Sequence, residues 1–128
     1  MYNNEESVLL LKSQAFAVRI TKMVDYLSKN RDKIFQPLYS QVLRSGTSIM
    51  ANVSEAQFAQ SPADFITKLH ISLKEAGETR SWLRLLYDKS IITENEFNSI
   101  VADCSEIIAI LVASLNTVKQ NNNNNSEK

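Results

Sequence analysis

The sequence predicts an all-α fold: an antiparallel up-down-up-down four-helix bundle followed by a disordered polar C-terminal tail. Three observations predict it. Two glycines and two prolines in 128 residues are too few for a β-rich chain, which needs turn residues every few positions. Apolar residues recur at intervals of three and four along four stretches, the period of a helix that buries one face. Residues 120–128 include five consecutive asparagines, a composition that buries too little apolar surface to order itself. The apolar share of 44% is that of a globular chain. The expected organisation is one domain over 1–119 and an Asn-rich tail over 120–128.

The first helix is expected over about residues 5–29. Leu9, Phe16, Ile20, Met23 and Leu27 mark its inner stripe, widened by Leu10, Ala17 and Val24. It should stop before Asn30, Arg31 and Asp32, where short polar side chains compete for backbone hydrogen bonds. The second helix opens near Gln36 and Pro37, since proline at a first turn sacrifices no helical hydrogen bond. Leu38, Val42, Ile49, Val53 and Ala56 line its inner face, which should continue to about residue 59. Gly46 interrupts it at a cost of about 1 kcal/mol relative to alanine, so it marks either a close backbone approach or a tolerated flaw.

Ser61, Pro62 and Asp64 together signal the start of the third helix, with serine as N-cap. Phe65, Leu69, Ser72, Ala76, Thr79, Leu83 and Leu86 then alternate by four and three, the seam of a bundle. Thr93 and Glu96 form a capping box for the fourth helix. That helix should run to about residue 119, with Phe97, Cys104, Ile107, Leu111, Leu115 and Val118 inward. Four helices of similar length with short connections pack up-down-up-down.

The 14 basic residues balance the 14 acidic ones. A dedicated nucleic-acid binder usually carries an excess of positive charge, because phosphate neutralisation supplies much of its affinity. Cys104 is the only cysteine, so no internal disulfide or multi-cysteine metal cluster forms. Its apolar neighbours mark it as a small buried residue. The N-terminal residues include Glu5 and Glu6 and no basic stretch, so no signal peptide is expected. No uninterrupted apolar run reaches the ~20 residues of a membrane helix. A cytoplasmic protein without membrane attachment is the expectation.

No catalytic constellation emerges. A di-iron bundle needs two Glu-x-x-His pairs, yet His70 is the only histidine and Thr67 stands three positions before it. Glu75 and Glu78 cannot complete such a site alone. Phosphate loops and nucleophile elbows are missing. No enzyme activity, metal, cofactor or small-molecule substrate is expected.

Two polar patterns invite a functional reading. Ser45, Ser48, Asn52 and Glu55 form a stripe on the second helix, while Glu75 and Glu78 share a face of the third with Ile71 and Trp82. An apolar-flanked carboxylate requires a donor, and Arg44, Arg80 and Arg84 are the candidates. The stripes fit a solvated face, a polar network fixing helix packing, or a subunit interface. On the first helix Lys12, Ala15, Arg19, Lys22, Tyr26, Lys29 and Lys33 fall on one line. Cations around an aromatic ring suit a phosphate backbone with a stacked base, and they equally suit ordinary solvated surface.

Residues 43–56, with the pattern Ser48-Ile49-x-x-Asn52-x-x-Glu55, resemble the signature of a bacterial family of four-helix-bundle proteins encoded in 23S rRNA intervening sequences. Residues 65–83, containing Glu75, Gly77, Glu78 and Trp82, match the second stretch of that pattern. Ala56 stands where many members have glycine. The resemblance implies a four-helix bundle. It also implies kinship with the accessory variability determinant of diversity-generating retroelements, a homopentameric ring associated with a reverse transcriptase and nucleic acid. The resulting expectation is a homo-oligomeric assembly protein, and the resemblance points to a pentamer in the manner of that ring. Arg44, Ser48, Asn52, Glu55, Glu75, Glu78 and Trp82 would then fix helix packing or subunit contacts. The alternative is a nucleic-acid-binding accessory protein using Lys12, Arg19, Lys22, Tyr26 and Lys29.

Overall fold

Turn and cap chemistry sets where the later three helices begin. The computed structural model describes residues 4–126, with side chains described at 8–121 and 123. Four helices, α1 (Asn4–Asn30), α2 (Gln36–Ala56), α3 (Pro62–Asp88) and α4 (Glu94–Ser126), follow one another, with a 3-10 turn at Lys33–Phe35 before α2. Asp32 caps that turn by accepting from the Ile34 amide at 3.1 Å. Ser61 Oγ accepts from the Asp64 amide at 3.1 Å, the expected N-cap of α3. The capping box of α4 is reciprocal. The Thr93 amide donates to Glu96 Oε1 at 2.8 Å, and the Glu96 amide to Thr93 Oγ1 at 3.1 Å. The Thr93 amide holds the Glu96 carboxyl below its usual pKa.

Sequence neighbours pack side by side, α1 on α2, α2 on α3 and α3 on α4, and a thinner α1–α4 contact closes the ring. That is the up-down-up-down bundle. The core runs along its axis through Phe16, Ile20, Ile49, Phe65, Leu69, Leu83, Ile107 and Leu111. All seven residues of the α3 seam are buried.

Two boundaries differ from expectation, the ends of α2 and α4. Helix α2 ends at Ala56 rather than near residue 59, because the amides of Gln57, Phe58 and Ala59 each bond to the carbonyl three positions back, tightening the last turn. Helix α3 ends with Ser90 at φ 58° and the Ile91 amide on the Leu86 carbonyl at 2.9 Å, a Schellman closure. Helix α4 continues through residues 120–126, where Gln120, Asn121 and Asn123 are exposed. Each added residue gains one backbone hydrogen bond once a helix exists, so α4 extends past residue 119 without burying Gln120, Asn121 or Asn123. The ends of the expected domain and tail, residues 1–3 and 127–128, lie outside the described residues. By length and composition α4 could cross a membrane; in the bundle Ile100, Cys104, Ile107, Leu111 and Leu115 give it a buried face.

Candidate functional site

The α2 signature contains a close approach to α1. A Cβ on Gly46 would sit 2.8 Å from Ile20 Cγ2 of α1, so the glycine answers to a close approach. The next contact is on the other flank of α2. Thr79 Oγ1 donates to the buried Ser45 hydroxyl at 2.8 Å and Ser72 Oγ donates to the Ile49 carbonyl at 2.9 Å. One turn away the Cys104 thiol donates to the Ala76 carbonyl at 3.3 Å, and burial pushes its pKa up to about 11. Small hydroxyl residues therefore let α2 and α3 approach while the buried hydroxyls of Ser45, Ser72 and Thr79 keep partners.

At the outer edge of this seam Arg44 of α2 spans two carboxylates of α3. Its Nη1 lies 3.1 Å from Glu75 Oε2, its Nη2 2.6 Å from Glu78 Oε1, and its Nε donates to Gln41 Oε1 at 3.0 Å. Two like charges three residues apart on a helix repel, and one guanidinium fork offsets that repulsion. The Arg44 hydrogen bond holds the Glu78 carboxyl below its usual range, against the upward push of partial burial. The same bond raises the Arg44 pKa. The Trp82 Nε1 atom is buried and makes no hydrogen bond of good geometry, yet it lies near enough to Glu78 to help depress that carboxyl.

The remaining stripe residues divide. Asn52 Nδ2 donates to the Ser48 carbonyl one turn back at 2.8 Å, which keeps this pair local to α2. Glu55 meets Lys68 of α3 at 3.5 Å. The structure therefore brings Arg44, Glu75, Glu78 and Trp82 together, with Glu55 as a second clamp, and it uses them within one chain to join α2 to α3. Of the other proposed donors, Arg84 pairs with Asp88 in its own helix at 3.1 Å. No carboxylate receives Arg80 among the described residues. His70 is exposed, and no group of three potential metal ligands occurs among the described residues.

The α1 stripe occupies the α1–α4 seam. Lys12 Nζ lies 2.8 Å from Glu106 Oε1. Arg19 reaches Asp103 Oδ2 at 2.7 Å and the Ser99 hydroxyl at 2.6 Å. Lys29 pairs with Asp25 within the helix at 3.1 Å, and the Arg31 guanidinium sits 5.2 Å from the Tyr26 ring centre. Among the described residues of the stripe, Lys22 has no ion pair. Two open grooves of about 280 and 290 Å³ flank Arg19. Partners more than 80 positions away neutralise Lys12 and Arg19, which sequence spacing could not reveal.

Sequence reasoning missed an apolar groove on the outer side of α1 and α2. It measures about 570 Å³ and is lined by Gln14, Ala17, Val18, Thr21, Lys22, Thr47 and Met50. Leu11, 66% exposed, and Val18, 54% exposed, lie seven residues apart on one face of α1. The available signal was Leu11 and Val18 falling outside the inner stripe.

Among curated proteins none matches the chain. A solved structure, a protein of unknown function from the S23 ribosomal protein family of Bacteroides thetaiotaomicron VPI-5482, is 43% identical. The match covers 88% of this chain and 98% of that one, with a TM-score of 0.82. The family model for the 23S rRNA-intervening sequence protein matches residues 5–113. The α2 and α3 signatures that build the central seam lie inside that match, and the chain belongs to the 23S rRNA-intervening sequence protein family.

Proposed function

We propose that the protein is a non-enzymatic assembly protein of the cytoplasm, working as a homo-oligomer joined through the α1–α2 groove, with a closed ring such as a pentamer as one form. The observation that carries this reading is the exposed apolar face of Leu11 and Val18, with the half-buried Met50, beside that groove. Burying a leucine or valine side chain contributes roughly 1.5–3 kcal/mol, so a few such residues give a self-contact most of its driving force. The zero net charge removes long-range repulsion between copies. The Arg44–Glu75–Glu78 cluster supports the same reading indirectly: its polar groups are engaged in joining α2 to α3 and are not presented to a substrate.

Solution mass tests the proposal, measured by light scattering after size exclusion at low and high salt. The expected result is a fixed multiple of the 14.5 kDa chain at both salts. Leu11→Glu with Val18→Glu should return the monomer with its helical circular dichroism unchanged. A monomeric parent protein, or a variant that assembles as before, would overturn it.

A further inference from the structure

Three seams of the bundle are closed from inside. The α2–α3 seam holds the buried Thr79–Ser45 and Ser72–Ile49 hydrogen bonds, with the Arg44 fork at its edge. On the α1–α2 seam Gly46 admits Ile20 where a Cβ would not fit. On the α3–α4 seam the Cys104 thiol donates to the Ala76 carbonyl. The connections of the chain run along these same three seams. The α1–α4 seam is packed more thinly than any of them.

The contacts that bridge its rim are polar and half-exposed. The Lys12–Glu106 pair has side chains 41% and 53% exposed, and the Arg19–Asp103 pair 39% and 48%. Arg19 also donates to the Ser99 carbonyl of α4 at 3.2 Å. At the far end Arg31 Nε donates to the Ile91 carbonyl, just before α4, at a long 3.4 Å. Between these bridges the two grooves beside Arg19 reach the core. Phe16 and Ile107 line one, and Leu27, Ile92 and Ile100 line the other, and all five are buried. Core side chains on this side are thus covered by ion pairs that water and salt can screen.

We propose that the bundle opens along the α1–α4 seam as a book does. The α2–α3 seam is the spine, the α1–α2 and α3–α4 hairpins are the covers, and Lys12–Glu106 with Arg19–Asp103 form a salt-sensitive latch. Local opening draws on the region with the fewest buried contacts, and here that region lies opposite the best-closed seam. Each cover keeps its own internal contacts, Gly46 on Ile20 in one and Cys104 on Ala76 in the other. Opening brings Phe16, Ile100 and Ile107 to water and leaves Cys104 covered. The α1–α2 groove lies on the outer side of the first cover, so the motion does not rest on self-assembly.

Thiol labelling with dithiobis-nitrobenzoate tests it. Ile107→Cys and, separately, Ile100→Cys report on the seam in a Cys104→Ala chain, and native Cys104 of the parent reports from inside a cover. Each rate is referred to the urea-measured stability of its own chain. Both seam reporters should label well ahead of Cys104 and depend only weakly on urea, because opening exposes less surface than unfolding. Cys104 should follow the steep urea dependence of global unfolding. Half-exposed ion pairs shift an equilibrium about two- to fivefold each, so Lys12→Gln with Arg19→Gln should speed seam labelling roughly 4- to 25-fold at low salt. Sodium chloride at about 1 M, where screening acts over about 3 Å, should speed the seam reporters of the unaltered latch and have little further effect once both cations are gone. Seam reporters that label no faster than Cys104, with its urea slope, would overturn the opening. A salt response that survives the loss of Lys12 and Arg19 would overturn the latch. Cys104 labelling as early as the seam would overturn the intact covers. Early labelling at one seam position alone would trace to that substitution and would overturn the proposal as well.

Discussion

Gly46→Ala tests the central packing argument most directly, because two opposing terms of known sign meet at one atom. The added methyl improves helix propensity by about 1 kcal/mol. It also lands 2.8 Å from Cγ2, 3.0 Å from Cγ1 and 3.3 Å from Cβ of Ile20. Ile20 is fully buried and β-branched, with a stiff χ1, so these atoms can retreat only if α1 itself moves. Overpacking costs about 1–3 kcal/mol, and contacts to β and γ atoms place this case near the upper end. The net loss is about 2 kcal/mol, a fall of roughly 5–10 °C in melting temperature for a domain of this size. Gly77→Ala has the same propensity gain with nothing in the way and should raise stability by about 0.5–1 kcal/mol. Urea and thermal unfolding followed by circular dichroism read both. In an Ile20→Ala background the Gly46→Ala penalty should vanish and the propensity gain should surface. If Gly46→Ala stabilises the parent as Gly77→Ala does, or keeps its penalty without Ile20, the close α1–α2 approach is wrong.

Glu78→Gln should cost about 0.5–1 kcal/mol at neutral pH, the scale of a half-exposed ion pair. The folded state lowers the Glu78 pKa below 4.5, so its contribution is present above that value and fades as pH falls through the folded pKa. The parent should therefore lose more stability than Glu78→Gln between about pH 5 and pH 3, and parallel acid limbs in the two proteins would refute the clamp. Cys104 is fully buried with its thiol pKa near 11, so a thiol reagent at mildly alkaline pH should label it only as the protein unfolds. Labelling at the rate of the urea-unfolded chain would show that the site is open.

The helical pattern was legible wherever burial and polarity agree. The α3 seam, including Ser72 and Thr79, needed only its four-three alternation, because that rhythm constrains a helix packed on both flanks. The Thr93–Glu96 box was legible because both partners lie within one turn. The α2 stripe was harder. Ser45 falls on the same line as Ser48, yet it is fully buried, its hydroxyl satisfied by Thr79, 34 positions away. Tyr39 was missed for a similar reason: it is buried, and its hydroxyl donates to the Asp32 carbonyl at 3.2 Å. Burial pushes its pKa up. The α1 stripe showed the reverse error. Its cations look free along the chain, and only the fold brings Glu106 and Asp103 to them.

Symmetry decides what the α1–α2 groove can build. If the groove packs on the same groove of a second copy, the contact is isologous and closes as a dimer. An odd-numbered ring requires the groove to meet a different surface on its neighbour. The α2–α3 corner, where Phe58 is 83% exposed, offers an apolar anchor for that surface. A dimer would leave Phe58 free of the contact. A ring would place Phe58 at the subunit boundary, where Phe58→Ser should dissociate it and Gly46→Ala, acting inside the chain, should change only its melting.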